Sequence, residues 1–95
     1  MTENEKKSLD SLKELLNERE CEGTVILENP SYVDAIIGIT EDNRLIYSYE
    51  KMIDWLVETD SMEPEEAMEF IDYNTVRALP YMGEMKPIIS YELEF

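Results

Sequence analysis

The chain has 95 residues, enough for one domain, and its 8 Lys and Arg oppose 23 Asp and Glu for a formal charge of −15. That charge repels nucleic acid and anionic membrane surfaces and excludes both as direct partners. Six Tyr, two Phe and one Trp, in a chain that is 43% hydrophobic, separate it from acidic disordered tails, which lack aromatics.

Residues 1–22 hold four basic and seven acidic side chains, residues 23–60 two and eight, and residues 61–95 two and eight. The imbalance therefore belongs to the body of the domain, where self-repulsion opposes compaction and a basic surface is the natural complement. Cys21 is the only cysteine, so no internal disulfide and no multi-thiolate metal site can form. The charged start, Thr2-Glu3-Asn4-Glu5-Lys6-Lys7, opens no apolar signal run, and no stretch reaches the roughly 18 apolar residues of a membrane span. A cytoplasmic protein without a membrane segment is expected.

In chain order, residues 3–20 predict an amphipathic helix, with Leu9, Leu12, Leu15 and Leu16 at helical spacing. Thr2 and Glu5 have capping-box spacing, and Gly23 is a plausible stop. Residues 24–28 predict a first strand ended by Asn29-Pro30, and residues 32–40 a second. Glu41-Asp42-Asn43-Arg44 is turn chemistry, and Leu45-Ile46-Tyr47 is the return strand of a hairpin.

Ser48 suits the N-cap of a helix over residues 49–59, where Tyr49, Met52, Ile53, Leu56 and Val57 keep perfect helical periodicity. Pro64 opens the next helix, with Glu65 and Glu66 in its first turn. Its inner face is expected to hold Ala67, Phe70, Ile71, Asn74 and Ala78, and Pro80 to end it near residue 78. A loop over 81–87, with Gly83 and Pro87, leads to an edge strand at 88–91. The expected order is α-β-β-β-α-α-β. It defines a single α+β domain over 1–95, an N-terminal helix within 1–22 and a body over 23–95, with a small antiparallel β-sheet packed against helices.

Catalytic chemistry finds little footing. The absence of His removes the commonest general base, the hydrolytic triads and most transition-metal sites. Gly23, Gly38 and Gly83 are too scattered for a phosphate loop, and Asp60-Ser61-Met62-Glu63 lacks the alternation of a calcium loop. Among 23 acids a close carboxylate pair arises by chance. The sequence therefore predicts a binding protein, without catalytic residues, metal or cofactor.

The strongest functional signal is two acidic rows. Glu50, Asp54 and Glu58 are spaced i, i+4, i+8 on one helix, and Glu65, Glu69 and Asp72 i, i+4, i+7 on the next. Like charges at i, i+4 each cost about 0.2–0.5 kcal/mol. Lys51 is the only basic residue between Arg44 and Arg77. Such rows are the physics of a DNA mimic, because they can occupy a groove built for phosphates; the plain alternative is a solvated face. Trp55, set among acids, is a candidate anchor, as are Tyr47, Tyr73, Tyr81 and Tyr91, although aromatics more often serve the core. Arg77 is expected to form an ion pair or carbonyl cap near Asp72 or Glu69. Met62, Met68, Met82 and Met85 are expected to fill gaps.

The stretches Asp34-Ala35-Ile36-Ile37-Gly38-Ile39-Thr40, Tyr49-Glu50-Lys51-Met52-Ile53-Asp54-Trp55-Leu56 and Phe70-Ile71-Asp72-Tyr73-Asn74-Thr75-Val76-Arg77-Ala78-Leu79-Pro80-Tyr81 resemble a family of short acidic proteins of phages, prophages and mobile elements of Gram-positive bacteria. The resemblance covers about residues 32–91, leaves out the N-terminal helix and assigns no catalytic residue. It implies an accessory protein of a mobile element. Small acidic proteins of that origin resemble anti-CRISPR or anti-restriction inhibitors, which occupy the DNA-binding surfaces of host defence nucleases. The expected partner is then a basic nucleic-acid-binding protein, a CRISPR effector nuclease foremost, met by Glu50, Asp54, Trp55, Glu58, Glu65, Glu69 and Asp72. The alternative is a regulatory or scaffolding module, antitoxin-like or homodimeric through residues 3–20 by way of Leu9, Leu12 and Leu16.

Overall fold

The structure is a computed structural model that describes residues 9–21, 23–28 and 30–94. Helix α1 spans Leu9–Glu18; the rest of the expected 3–20 helix before residue 9, with the Thr2 and Glu5 capping box, lies outside the described residues. α1 stops earlier than Gly23, through Glu20 in the left-handed region at φ 59°. The Cys21 amide donates to the Leu16 carbonyl at 3.0 Å and the Glu20 amide to the Asn17 carbonyl at 3.1 Å, the two bonds of a Schellman ending.

Residues 24–28 form no strand, contrary to expectation. Side chains satisfy that backbone: the Leu27 amide donates to Tyr47 Oη at 3.1 Å, and Thr24 Oγ1 donates to the Asn43 carbonyl at 2.8 Å. Leu27 plugs into the core. The second predicted strand is also shorter. Tyr32 is left-handed at φ 49°, Val33–Ala35 make a 3-10 turn, and strand β1 is Ile36–Ile39. Strand β2, Leu45–Ser48, pairs antiparallel with β1 as expected, across a turn in which Asn43 takes φ 68°. Thr40 closes that turn. Its amide donates to the Arg44 carbonyl at 2.8 Å, and its Oγ1 accepts from the Arg44 amide at 2.9 Å and bonds Asp42.

Helix α2, Tyr49–Asp60, starts directly on β2, with Ser48 Oγ accepting from the Lys51 amide at 3.2 Å as its cap. Tyr49, Met52 and Leu56 are buried and Ile53 and Val57 half-buried, so the periodic stripe faces the core. Helix α3, Pro64–Asn74, carries Pro64 at its favoured first turn. It ends earlier than residue 78, and the chain continues as a 3-10 helix over Val76–Tyr81 that runs through Pro80. A proline lacks only its own amide, and the flanking amides of Ala78 and Met82 bond Thr75 and Leu79 carbonyls in the i−3 pattern. Ala67 and Ile71 are buried and Phe70 and Ala78 half-buried, whereas Asn74 is exposed. Instead of the inner face, Asn74 donates Nδ2 to the Phe70 carbonyl at 3.0 Å.

Strand β3, Ile88–Ser90, lies at the edge beside β2, but parallel to it. The sheet is therefore mixed, in the order β1-β2-β3, and not antiparallel throughout. The reason is topological: residues 49–87 form a helical crossover, which brings the chain back in the direction it left, whereas an antiparallel return needs only a tight turn. With β1 and β3 on its two sides, β2 leaves 24–28 no place beside it. The α+β class stands, with Tyr32, Tyr47, Leu45, Met52, Leu56 and Ile71 fully buried between sheet and helices.

Candidate functional site

The apolar stripes of α2 and α3 dictate where their charges go. Once Met52, Leu56, Ala67 and Ile71 face inward, Asp54, Glu58, Glu65 and Glu69 must face water, and all four are exposed. The 61–63 link folds α3 back along α2, so that Tyr49 at the start of α2 donates its hydroxyl to Asp72 Oδ1 at 3.0 Å near the end of α3. At the opposite end Glu58, Asp60, Glu63, Glu65 and Glu66 crowd the link, all exposed and with no basic residue among them. The expected rows of i, i+4 acids did not include Asp60 and Glu63. The missed signal was the turn itself, which continues the charge from one helix into the other.

The six predicted carboxylates divide into two groups. Glu50 is half-buried, and both its oxygens accept from the Glu92 amide at 3.2 Å. Asp72 accepts from Tyr49. These two hold the fold together at the end where Tyr91 lies against Tyr49, ring centroids 4.8 Å apart. Asp54, Glu58, Glu65 and Glu69 have no hydrogen-bond or ion-pair partner among the described residues. The one ion pair described, Lys13 to Glu28 at 3.7 Å, is far along the chain from them and exposed.

Lys51 is the one cation on α2 and is exposed beside Glu50, whereas Arg77 and Arg44 are engaged elsewhere. Arg77 does not pair with Asp72 or Glu69; its guanidinium sits 5.0 Å from the centre of the Tyr73 ring. Arg44 donates Nε to the Lys86 carbonyl at 2.8 Å. Burial, together with the bond to Asp72 and the nearby charges of Asp72, Tyr91 and Glu50, pushes the Tyr49 hydroxyl up to about 12. Burial likewise raises Tyr47 and Tyr32 above the ordinary tyrosine value.

The aromatics sort differently from their sequence context. Tyr47 is core, and Trp55 is half-buried, packed on the core with its ring 6.4 Å from Tyr32. The displayed aromatics are Tyr73, Tyr81 and Tyr91. Tyr91 touches Tyr49, the neighbour of Glu50, and Tyr73 follows Asp72, so both flank the acidic rows at one end. Met62 and Met82 pack on the core as gap-fillers, while Met68 is exposed. Among the described residues no group of three or more metal-ligating side chains converges, and no described helix is long and apolar enough to cross a membrane.

The chain matches no protein-family profile, no curated protein and no solved structure.

Proposed function

We propose that the protein is a binding inhibitor: its α2–α3 face docks on the basic nucleic-acid channel of a bacterial defence nuclease, with a CRISPR effector as the first target to try, and competes there with DNA. The observation that carries this reading is the set of exposed, unpaired carboxylates Asp54, Glu58, Glu65 and Glu69, continued round the link by Asp60, Glu63 and Glu66. Unscreened negative charge raises the local field and steers encounter with a basic partner. Tyr73 and Tyr91, displayed beside the acids, suit the rim of such an interface better than the packed Trp55. The resemblance to proteins of mobile elements supplies the context, and the bacterial cytoplasm is where such a target is met.

Self-association through residues 3–20 gains less support, because Leu12 and Leu16 are spent on this chain's own core, which leaves Leu9, half-buried outside that core, as the remaining member of the expected Leu9, Leu12 and Leu16 seam. The test is charge reversal. Asp54→Lys, Glu58→Lys and Glu65→Lys together are expected to abolish inhibition of the target nuclease, with an unchanged circular dichroism spectrum. Full inhibition by the correctly folded triple variant would refute the proposal.

A further inference from the structure

The end of α3 carries side chains that neither the core nor the acidic rows use. Tyr73 is 68% exposed, and Tyr81, at the far end of the 3-10 helix, is 88% exposed. Between them in sequence stands Arg77, also exposed, the only basic residue within 52–85. Its guanidinium lies over the Tyr73 ring, 5.0 Å from the centroid. At a 3-10 rise of about 2 Å per residue, Tyr81 follows Arg77 by roughly 8 Å along the axis.

In a chain of −15, an exposed arginine has carboxylates in plenty to pair with. Arg77 takes none among the described residues. The nearest acid in sequence, Asp72, accepts from the Tyr49 hydroxyl, and the one ion pair described joins Lys13 to Glu28. The guanidinium N–H groups thus have no hydrogen-bond partner among the described residues, while the ring restricts where they stand. An arginine held in this way has already lost part of the rotamer freedom that binding would otherwise remove. Tyrosine and arginine are also the residue types that carry much of the energy at protein interfaces.

Charge selects what meets it. The N–H donors of a guanidinium form a fork that fits a carboxylate. Phosphate fits the same fork, but the nine acids within 52–85 repel the nucleic acid that would bring it. Carboxylates do occur in the basic DNA channels of nucleases, because divalent ions are held there through them. A wholly acidic ligand would be repelled at such a group.

We propose that Arg77, held over Tyr73 and followed by the exposed Tyr81, is a docking site for a carboxylate of the protein partner. The proposal rests on the inhibitor reading and adds to it one contact of opposite sign, which fixes how the acidic face is oriented in the channel.

The sign of one substitution separates the alternatives. The probes are purified bacterial defence nucleases, and Kd is measured for the parent protein, Arg77→Gln and Arg77→Lys. Against a partner that offers only positive charge, loss of Arg77 removes a repulsion and tightens binding. The opposite is expected: Arg77→Gln weakens binding about tenfold, and Arg77→Lys, which keeps the charge without the fork, recovers only part of it. Urea unfolding of both variants should match the parent, and a loss of binding that merely tracked a loss of stability would overturn the proposal. Unchanged or tighter binding by Arg77→Gln, while Asp54→Lys, Glu58→Lys and Glu65→Lys together still abolish capture, would overturn the proposal and keep the acidic-face reading. Failure of the parent protein to bind any of the nucleases would overturn both.

Discussion

Helices α1 and α2 carry apolar stripes of similar spacing, and the fold consumes them to different extents. On α2, Tyr49, Met52 and Leu56 are all buried, whereas on α1 only Leu16 is, with Leu12 half-covered and Leu15 exposed. The cause lies in attachment. α2 springs from the central strand through Ser48 and is covered by α3, while α1 reaches the sheet through the irregular stretch before Tyr32. The outer face of α2–α3 carries its exposed carboxylates beside Met68 and Tyr73, and the α1 flank keeps Leu15 uncovered. A surface dominated by charge governs approach, and one that still has apolar area to bury governs residence.

The largest expected difference between the two flanks is in core truncation. Leu56→Ala should lower stability by about 2–5 kcal/mol, while Leu15→Ala should stay within about 0.5 kcal/mol of the parent in urea unfolding. Comparable losses at the two positions would mean that α1 is covered in solution.

The tether of the α1 flank is tested next. Tyr47→Phe removes the only partner described for the buried Leu27 amide and should cost about 1–3 kcal/mol. Tyr32→Phe is expected to be neutral or stabilising. Among the described residues the buried Tyr32 hydroxyl has no hydrogen-bond partner, with Thr75 the nearest side chain that could supply one. A loss at Tyr32 equal to that at Tyr47 would show that its hydroxyl is bonded after all.

A smaller effect marks the closed end of α2–α3. The Tyr49 hydroxyl, at about 12 when folded, lies above the ordinary tyrosine value near 10. Its contribution is whole below pH 10 and is lost as pH rises from 10 to 12, because the unfolded chain then releases the proton first. Tyr49→Phe should flatten that alkaline decline and lower neutral stability by about 0.5–1.5 kcal/mol through the lost bond to Asp72. An unchanged alkaline profile would remove Tyr49 from the account.

What was legible in the sequence was local. The β1–β2 turn, the Ser48 cap, the α2 stripe and Pro64 at the start of α3 each depend on residues within a few positions of one another. What was not legible was set across the chain. The direction of β3 depends on a crossover of nearly forty residues, and the fate of 24–28 depends on which strands had already flanked β2. The acidic rows were readable as periodicity. That Glu50 is drawn to the Glu92 amide and Asp72 to the Tyr49 hydroxyl was not, since those partners lie 42 and 23 residues away. The exposed Leu15 and Ile37 were hidden for the same reason: pattern marks a residue as apolar, and only packing decides whether it is covered.

The most direct test is competition. The tagged protein is offered to purified bacterial defence nucleases at moderate salt, and duplex DNA is titrated against any complex that forms. The account predicts capture of a nuclease that DNA displaces and that Asp54→Lys, Glu58→Lys and Glu65→Lys together abolish. Capture that neither DNA nor the charge reversals disturb would contradict it.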